Sequence, residues 1–269
     1  MRTNYFFGII LLSLIAISFS ACNDDNAPLS FDQDSYEVPA QGNRYLGPAS
    51  GNGDYTLTVS DPQVASAAVE QGWSSPGGSM IVVQGLQKGE TTLTVTDKAT
   101  NETRELHIRV TDGYETYRIS QTEPETDLPA LKGVPFVFLV ANEERDLHFF
   151  NQIQTRVTKG DLSKVAQGKY AFSIEGDKFY LTLTYASDDQ GRLTDAAIAP
   201  TPHKFLITNT GSDLMVRLNK SLNLGLPIAS LRNSPAPNYR VMNLLEVGTG
   251  YKVEGSFIEE GMMPDGILK

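Results

Sequence analysis

One cysteine, one tryptophan and three histidines are all that this chain of 269 residues carries of the side chains most often recruited for redox, stacking and metal chemistry. A single thiol excludes an internal disulfide, and a free thiol is unusual in a secreted chain, so Cys22 calls for another role. Three histidines, His107, His148 and His203, none near another in sequence, are few for a catalytic metal centre, and neither a metal nor another cofactor is expected. Basic residues are the minority: 22 Lys and Arg stand against 32 Asp and Glu, a formal charge of −10 with a pI near 4.8. That balance argues against nucleic acid as a partner and against a polybasic membrane-surface role, both of which need clustered Lys and Arg. Also missing are a G-x-S-x-G elbow, a phosphate-cradling glycine loop, an H-E-x-x-H pair and a cysteine nucleophile motif. A non-catalytic role is therefore expected, although glycosidase carboxylates need no local signature.

What is present starts at the N-terminus. Arg2 and a short polar start precede the apolar run Tyr5–Ile17, followed by Ser18-Phe19-Ser20-Ala21-Cys22. A cationic start, an apolar core of secretory length and small residues before a cut predict a signal peptide over residues 1–21. The run is too short for a spanning helix, which wants about 20 apolar residues, and no other stretch is long or apolar enough to cross a bilayer. The segment resembles the lipobox of bacterial lipoproteins, with Phe19 where leucine is commoner. The resemblance implies that Cys22 becomes the lipidated first residue of the mature chain and the membrane its first partner. Asn23-Asp24-Asp25 after it resembles the export signal of surface lipoproteins in the Bacteroidetes, implying an outer-membrane anchor facing the cell exterior. Residues 22–28 then read as a tether, since a short polar, acidic stretch cannot bury itself.

From residue 29 the pattern becomes that of strands. Tyr55-Thr56-Leu57-Thr58-Val59, Met80–Val83, Thr92–Thr96 and Leu106–Val110 are short alternating or apolar runs separated by turn residues. Six or seven such strands in about 80 residues predict a β-sandwich. Ser60-Asp61-Pro62-Gln63-Val64-Ala65 and Val83-Gln84-Gly85-Leu86-Gln87-Lys88-Gly89-Glu90-Thr91-Thr92-Leu93-Thr94-Val95 resemble the bacterial Ig-like domain, group 2, over residues 29–112. That family implies a spacer or adhesion module. The loop Glu70–Ser79 is longer than the family's usual link and carries Trp73. This lone tryptophan is a candidate ligand contact, for a sugar ring or a partner's apolar group. The competing reading, favoured for a single aromatic, folds Trp73 back to cap the sandwich.

Residues 113–269 resemble no family. Strands are expected at Val134–Val140, Leu147–Val157, Lys169–Ile174, Phe179–Tyr185, Lys204–Ile207, Leu214–Leu218, Tyr239–Leu245 and Tyr251–Phe257. A three-residue hairpin loop is expected at Glu175-Gly176-Asp177, and a helix only as a short turn near Asp161–Gln167. This set predicts a second antiparallel sandwich or barrel, and so an all-β protein.

Three polar clusters are candidates for chemistry, each with a plainer reading. Glu143-Glu144-Arg145-Asp146 with His148 has metal-ligand residue types but reads better as a charged turn. Asp188-Asp189-Gln190-Gly191 lacks the acidic alternation of a calcium loop. Glu175 and Asp177 flank a hairpin tip, where no cleft is expected. His203 is placed in a loop without an acidic partner. The expected function is binding or adhesion at the cell surface, with an extracellular glycan or protein as partner. The alternatives are a structural subunit of an envelope assembly and a polysaccharide-degrading enzyme.

Overall fold

The computed structural model of the chain describes residues 26–123, 131, 134–152, 162–187, 193–194, 198–208, 212–227, 240–258 and 263–268. Cys22, Asn23, Asp24 and Asp25 lie outside these, as do Asp188–Gly191 and the first residue of the Asp161–Gln167 segment. The fold is all-β, with one α-helix among the described residues. The strands are β1 (Ser35–Pro39), β2 (Asn43–Leu46), β3 (Tyr55–Val59), β4 (Ala65–Gln71), β5 (Ser79–Gly85), β6 (Gly89–Asp97), β7 (Thr103–Thr111), β8 (Tyr114–Glu123), β9 (Phe136–Val140), β10 (Asp146–Gln152), β11 (Leu162–Glu175), β12 (Lys178–Tyr185), β13 (Thr201–Ile207), β14 (Val241–Glu246) and β15 (Lys252–Ile258). The helix, α1, spans Ser212–Ser221 and lies between β13 and β14.

β1 to β7 form two facing sheets. One has the order β1-β7-β6-β3, with β1 parallel to β7, and the other the order β2-β5-β4. Alternate residues of both sheets, among them Val38, Ile81, Val83, Leu93, Val95, Leu106, Ile108 and Val110, turn inward and build one buried core. The alternation of β6, with Thr91, Leu93, Val95 and Asp97 buried and their neighbours more open, is what a strand with one wet face requires. β8 to β15 close into an eight-stranded antiparallel barrel in the order β10-β11-β12-β13-β14-β15-β8-β9. Its interior is filled by Tyr117, Leu139, Phe149, Tyr170, Leu181, Leu183, Phe205, Leu244 and Phe257, so it is a packed core rather than a pore.

Four details differ from expectation. Leu214–Leu218 is helical, not a strand. Leu214, Met215, Leu218 and Leu222 are buried in the barrel core while Val216 faces out, the i, i+1, i+4, i+8 spacing of an amphipathic helix. Burying each of these side chains contributes about 1.5–3 kcal/mol, which outweighs the weak strand preference of one valine. Conversely, Leu162–Gln167 belongs to the 14-residue β11 and is not a helical turn, because it pairs along β10 from Gln152 to His148. The hairpin after β11 has two turn residues rather than three: Glu175 already pairs with Lys178, and Gly176 takes φ +64°. His203 lies within β13.

The sandwich passes into the barrel through Asp112-Gly113 alone, and this joint is held on both sides. Ala40 N donates to Thr111 O at 3.0 Å and Ala141 N to Gly113 O at 2.8 Å. A Cβ on Gly113 would stand 2.8 Å from the Ala40 carbonyl oxygen, so the backbones approach as only glycine allows. A second link comes from the C-terminal segment. Met263 and Leu268 are buried with Phe136, Phe138, Val140 and Phe150 on the outer face of the barrel. The same segment reaches the sandwich through Arg44–Asp265 (3.1 Å), Gly266 N donating to Glu37 Oε1 (2.9 Å) and Arg109 donating to Leu268 O (3.0 Å). Arg109 also pairs with Glu37.

Candidate functional site

Strand directions give the barrel two ends. β8 leaves the sandwich at Tyr114, so the end holding Val140, Asp146, Ile207 and Ile258 faces the sandwich. α1 follows β13 at that end and stoppers it. Arg145 donates to the carbonyls of Leu222 and Asn223 just past the helix, satisfying C-terminal acceptors and opposing the negative end of the helix dipole. Arg217 Nη1 donates to both carboxylate oxygens of Glu115 at 3.1 and 3.0 Å. Its Nε and Nη2 are buried with no hydrogen-bond acceptor among the described residues, and its Cζ stands 5.2 Å from the Phe257 ring centroid, so the aromatic face offers the cation a partner. A cavity of about 370 Å³ lies between this helix end and the sandwich loop Pro39–Asn43.

The opposite end carries a polar set that the sequence reading missed. His203 Nδ1 is 2.9 Å from Glu246 Oε1, and Thr249 Oγ1 donates to Glu246 Oε2 at 2.5 Å. The imidazole stacks flat on Tyr185, with centroids 4.3 Å apart and planes 4° from parallel, and Thr201 Oγ1 lies 3.3 Å from Nε2. His203 thus has a buried acidic partner, correcting the expectation of none. The partner is 43 residues away and comes into range only because β13 and β14 pair with Phe205 opposite Glu246. No local spacing signals this.

Of the other candidates, the Glu143–His148 and Glu175/Asp177 clusters fall within the described residues and Asp188–Gly191 does not. Glu143 and Glu144 are exposed in the turn before β10, while Asp146 pairs with Lys169 at 2.7 Å and accepts from Asn142 Nδ2 at 2.7 Å. Burial raises the Asp146 pKa, but these hydrogen bonds from Lys169 and Asn142 outweigh it and hold the carboxyl below its usual value. His148 is buried on β10. Glu175 pairs with Lys204 at 2.5 Å at the hairpin tip. Among the described residues, no three His, Cys, Asp or Glu side chains gather as metal ligands would.

Trp73 does not cap the sandwich. It is 41% exposed and meets the ring of Tyr45, itself 49% exposed, with centroids 5.4 Å apart and planes 45° to each other. The loop beneath it is tightly bonded. Gly72 N and Trp73 N both donate to Gly78 O, at 2.8 and 3.0 Å, and Gly78 N donates to Ser75 O at 2.8 Å. Gly77 packs so closely on Gly53 that a Cβ on Gly53 would fall 1.9 Å from the Gly77 carbonyl oxygen.

The fold and these sites define an all-β protein in which an Ig-like sandwich precedes a stoppered barrel. Residues 36–111, the sandwich strands, match the family model described as the pilus formation protein N-terminal region, which spans well under half of the chain. No curated protein matches the chain. Similar solved structures are pieces of the S-layer protein SbsC. Domains 4 and 5 align at 16% identity over 31% of this chain and 50% of that one, with a TM-score of 0.26. Domains 5–6 align at 13% identity over 69% and 100%, also at 0.26, and rSbsC(31-844) at 14% over 68% and 25%, at 0.28. The chain thus spans about half the length of the first of these.

Proposed function

We propose that this is a non-catalytic protein of the bacterial cell envelope, held by lipid on Cys22 and acting in adhesion or surface assembly. The observation that carries this reading is the match of residues 36–111 to the N-terminal region of a pilus formation protein. The signal-peptide pattern, the solitary cysteine at its end and the acidic Asn23–Asp25 stretch support the anchor and its outward orientation. In this reading the sandwich stands next to the outer membrane, the barrel projects from it, and the protein captures a glycan or another protein at the cell surface. The paired joint at Gly113 and the C-terminal strap favour a rigid projection over a pair of loosely linked modules.

The test is protease treatment of intact cells, followed by immunoblotting for the barrel. The reading requires the barrel to be removed in wild type, and Cys22→Ser to leave the membrane fraction. Survival of the barrel in membrane-bound wild-type protein would place it in the periplasm and leave an envelope-assembly role. Unchanged membrane attachment of Cys22→Ser would sink the lipid anchor.

A further inference from the structure

We propose that Tyr45 and Trp73 form a preorganised stacking platform for a neutral pyranose chain, the glycan option of the adhesion reading, on which this inference rests. Among the described residues five large apolar side chains are exposed, and the two that are aromatic are the two in contact. Scattered exposed apolar residues are ordinary, but paired aromatic rings held out in water are not.

The platform is built, not accidental. Tyr45 lies on β2 with Val82 of β5 opposite it and Ala68 of β4 opposite Val82, so this row presents one apolar strip on the outer face of the sheet. Trp73 is brought beside that strip by the bonded loop, with Gln71 Nε2 donating to Gly53 O at 3.1 Å as a further tie. Because the loop is already ordered, little conformational freedom remains to be lost on binding.

The chemistry of the face selects its ligand. A pyranose ring presents an apolar C–H face whose weakly positive hydrogens meet the negative face of an aromatic ring. Its hydroxyls need donors and acceptors at the edge. Asn43 and Gln84, opposite one another in the register, stand one row away, about 7 Å along the strand. Glu70 is exposed on the same side of β4, and the whole chain carries −10, so an anionic polysaccharide is disfavoured and a neutral one fits. The two rings are tilted by 45°, which suits consecutive sugars of a single twisted chain better than the flat face of a crystalline polymer.

Trp73 is the sole tryptophan, so its emission reports on this site alone. Purified protein is titrated with cellohexaose, mannohexaose and chitohexaose. A two-ring site should bind one of them with Kd on the order of 1 mM. The expected result is a saturable change in Trp73 emission that weakens about tenfold in Tyr45→Ala, with unchanged circular dichroism. Trp73→Ala, followed by retention on the matching immobilised glycan, should lose binding while staying folded. No saturable change with any of the three at about ten times that concentration overturns the proposal, as does binding that Tyr45→Ala leaves intact. So does a concentration-dependent dimer that Trp73→Ala abolishes, which would make the face a contact between copies. Since the titration uses free protein, its failure leaves the surface-display reading standing, and failure of the protease test leaves the platform standing.

Discussion

The imidazole of His203 is held between a flat Tyr185 ring and the buried carboxylate of Glu246, 2.9 Å from Nδ1 to Oε1. The two residues come from adjacent antiparallel strands and close the barrel end that α1 does not reach. Glu246 in turn serves Thr249, so one carboxylate joins β13 to the turn after β14.

Removing that carboxylate strands two partners at once. Glu246→Ala should cost about 2 kcal/mol of stability in urea unfolding. The double variant with His203→Ala should cost less than the two single losses summed, by at least about 0.5 kcal/mol. Simple additivity would mean that the pair is not coupled.

Alkaline pH should expose the buried phenols. Burial pushes Tyr114 up to about 12 and Tyr117 and Tyr185 higher still. In the unfolded chain these groups ionise near pH 10, so above that pH the folded state binds more protons than the unfolded one. Stability is fully present below about pH 10 and declines as pH rises through 12. Phenolate absorbance should show these three tyrosines ionising together with unfolding; titration near 10 in the folded protein would contradict it.

The acid limb has a named contributor in the sandwich. Burial raises the Asp97 pKa, but hydrogen bonds from Asn52 N and Ala99 N, the Asn52 side chain and the Thr100 backbone outweigh it and hold the carboxyl below its usual value. Asp97 therefore binds fewer protons folded than unfolded. Its stabilisation is present above about pH 4 and is lost as pH falls through the lower folded value. Asp97→Asn should flatten that part of the stability–pH curve and cost about 2 kcal/mol at neutral pH. An unchanged acid limb would point to other carboxylates.

The C-terminal strap should loosen when its acceptor is removed. Glu37→Ala takes away the partner of both Arg109 and the Gly266 amide. Hydrogen exchange at Gly266 should accelerate about tenfold, the equivalent of ~1.4 kcal/mol, with β12 unaffected. Equal acceleration in β12 would signal global destabilisation instead.

Much of the architecture was legible because strand alternation is a local signal. Leu93-Thr94-Val95 and Phe179–Tyr185 announce their faces by period alone, and Lys98–Glu102 announces the turn after β6. The barrel itself was visible as a set of strands but not distinguishable from a sandwich, since closure depends on β8 finding both β9 and β15. α1 was misread because Leu214-Met215-Val216-Arg217-Leu218 suits either period over five residues. Only burial of Leu222 one turn later settles it. The site was the least legible part. Trp73 could be singled out by rarity, but its neighbour Tyr45 lies 28 residues earlier, and Glu246 is joined to His203 solely by strand pairing.

The parallel pairing of β1 with β7 bears on mechanics. A pull between the residues before β1 and the barrel enters β1 at Ser35 and leaves β7 at Thr111, the opposite ends of the paired stretch. The two strands are therefore loaded lengthwise and in opposite directions. Their five registered residue pairs must give way together rather than one after another. A protein tethered at one end and gripped at the other would resist such a load as a rivet row does, whereas a hairpin pulled at its open end peels like tape.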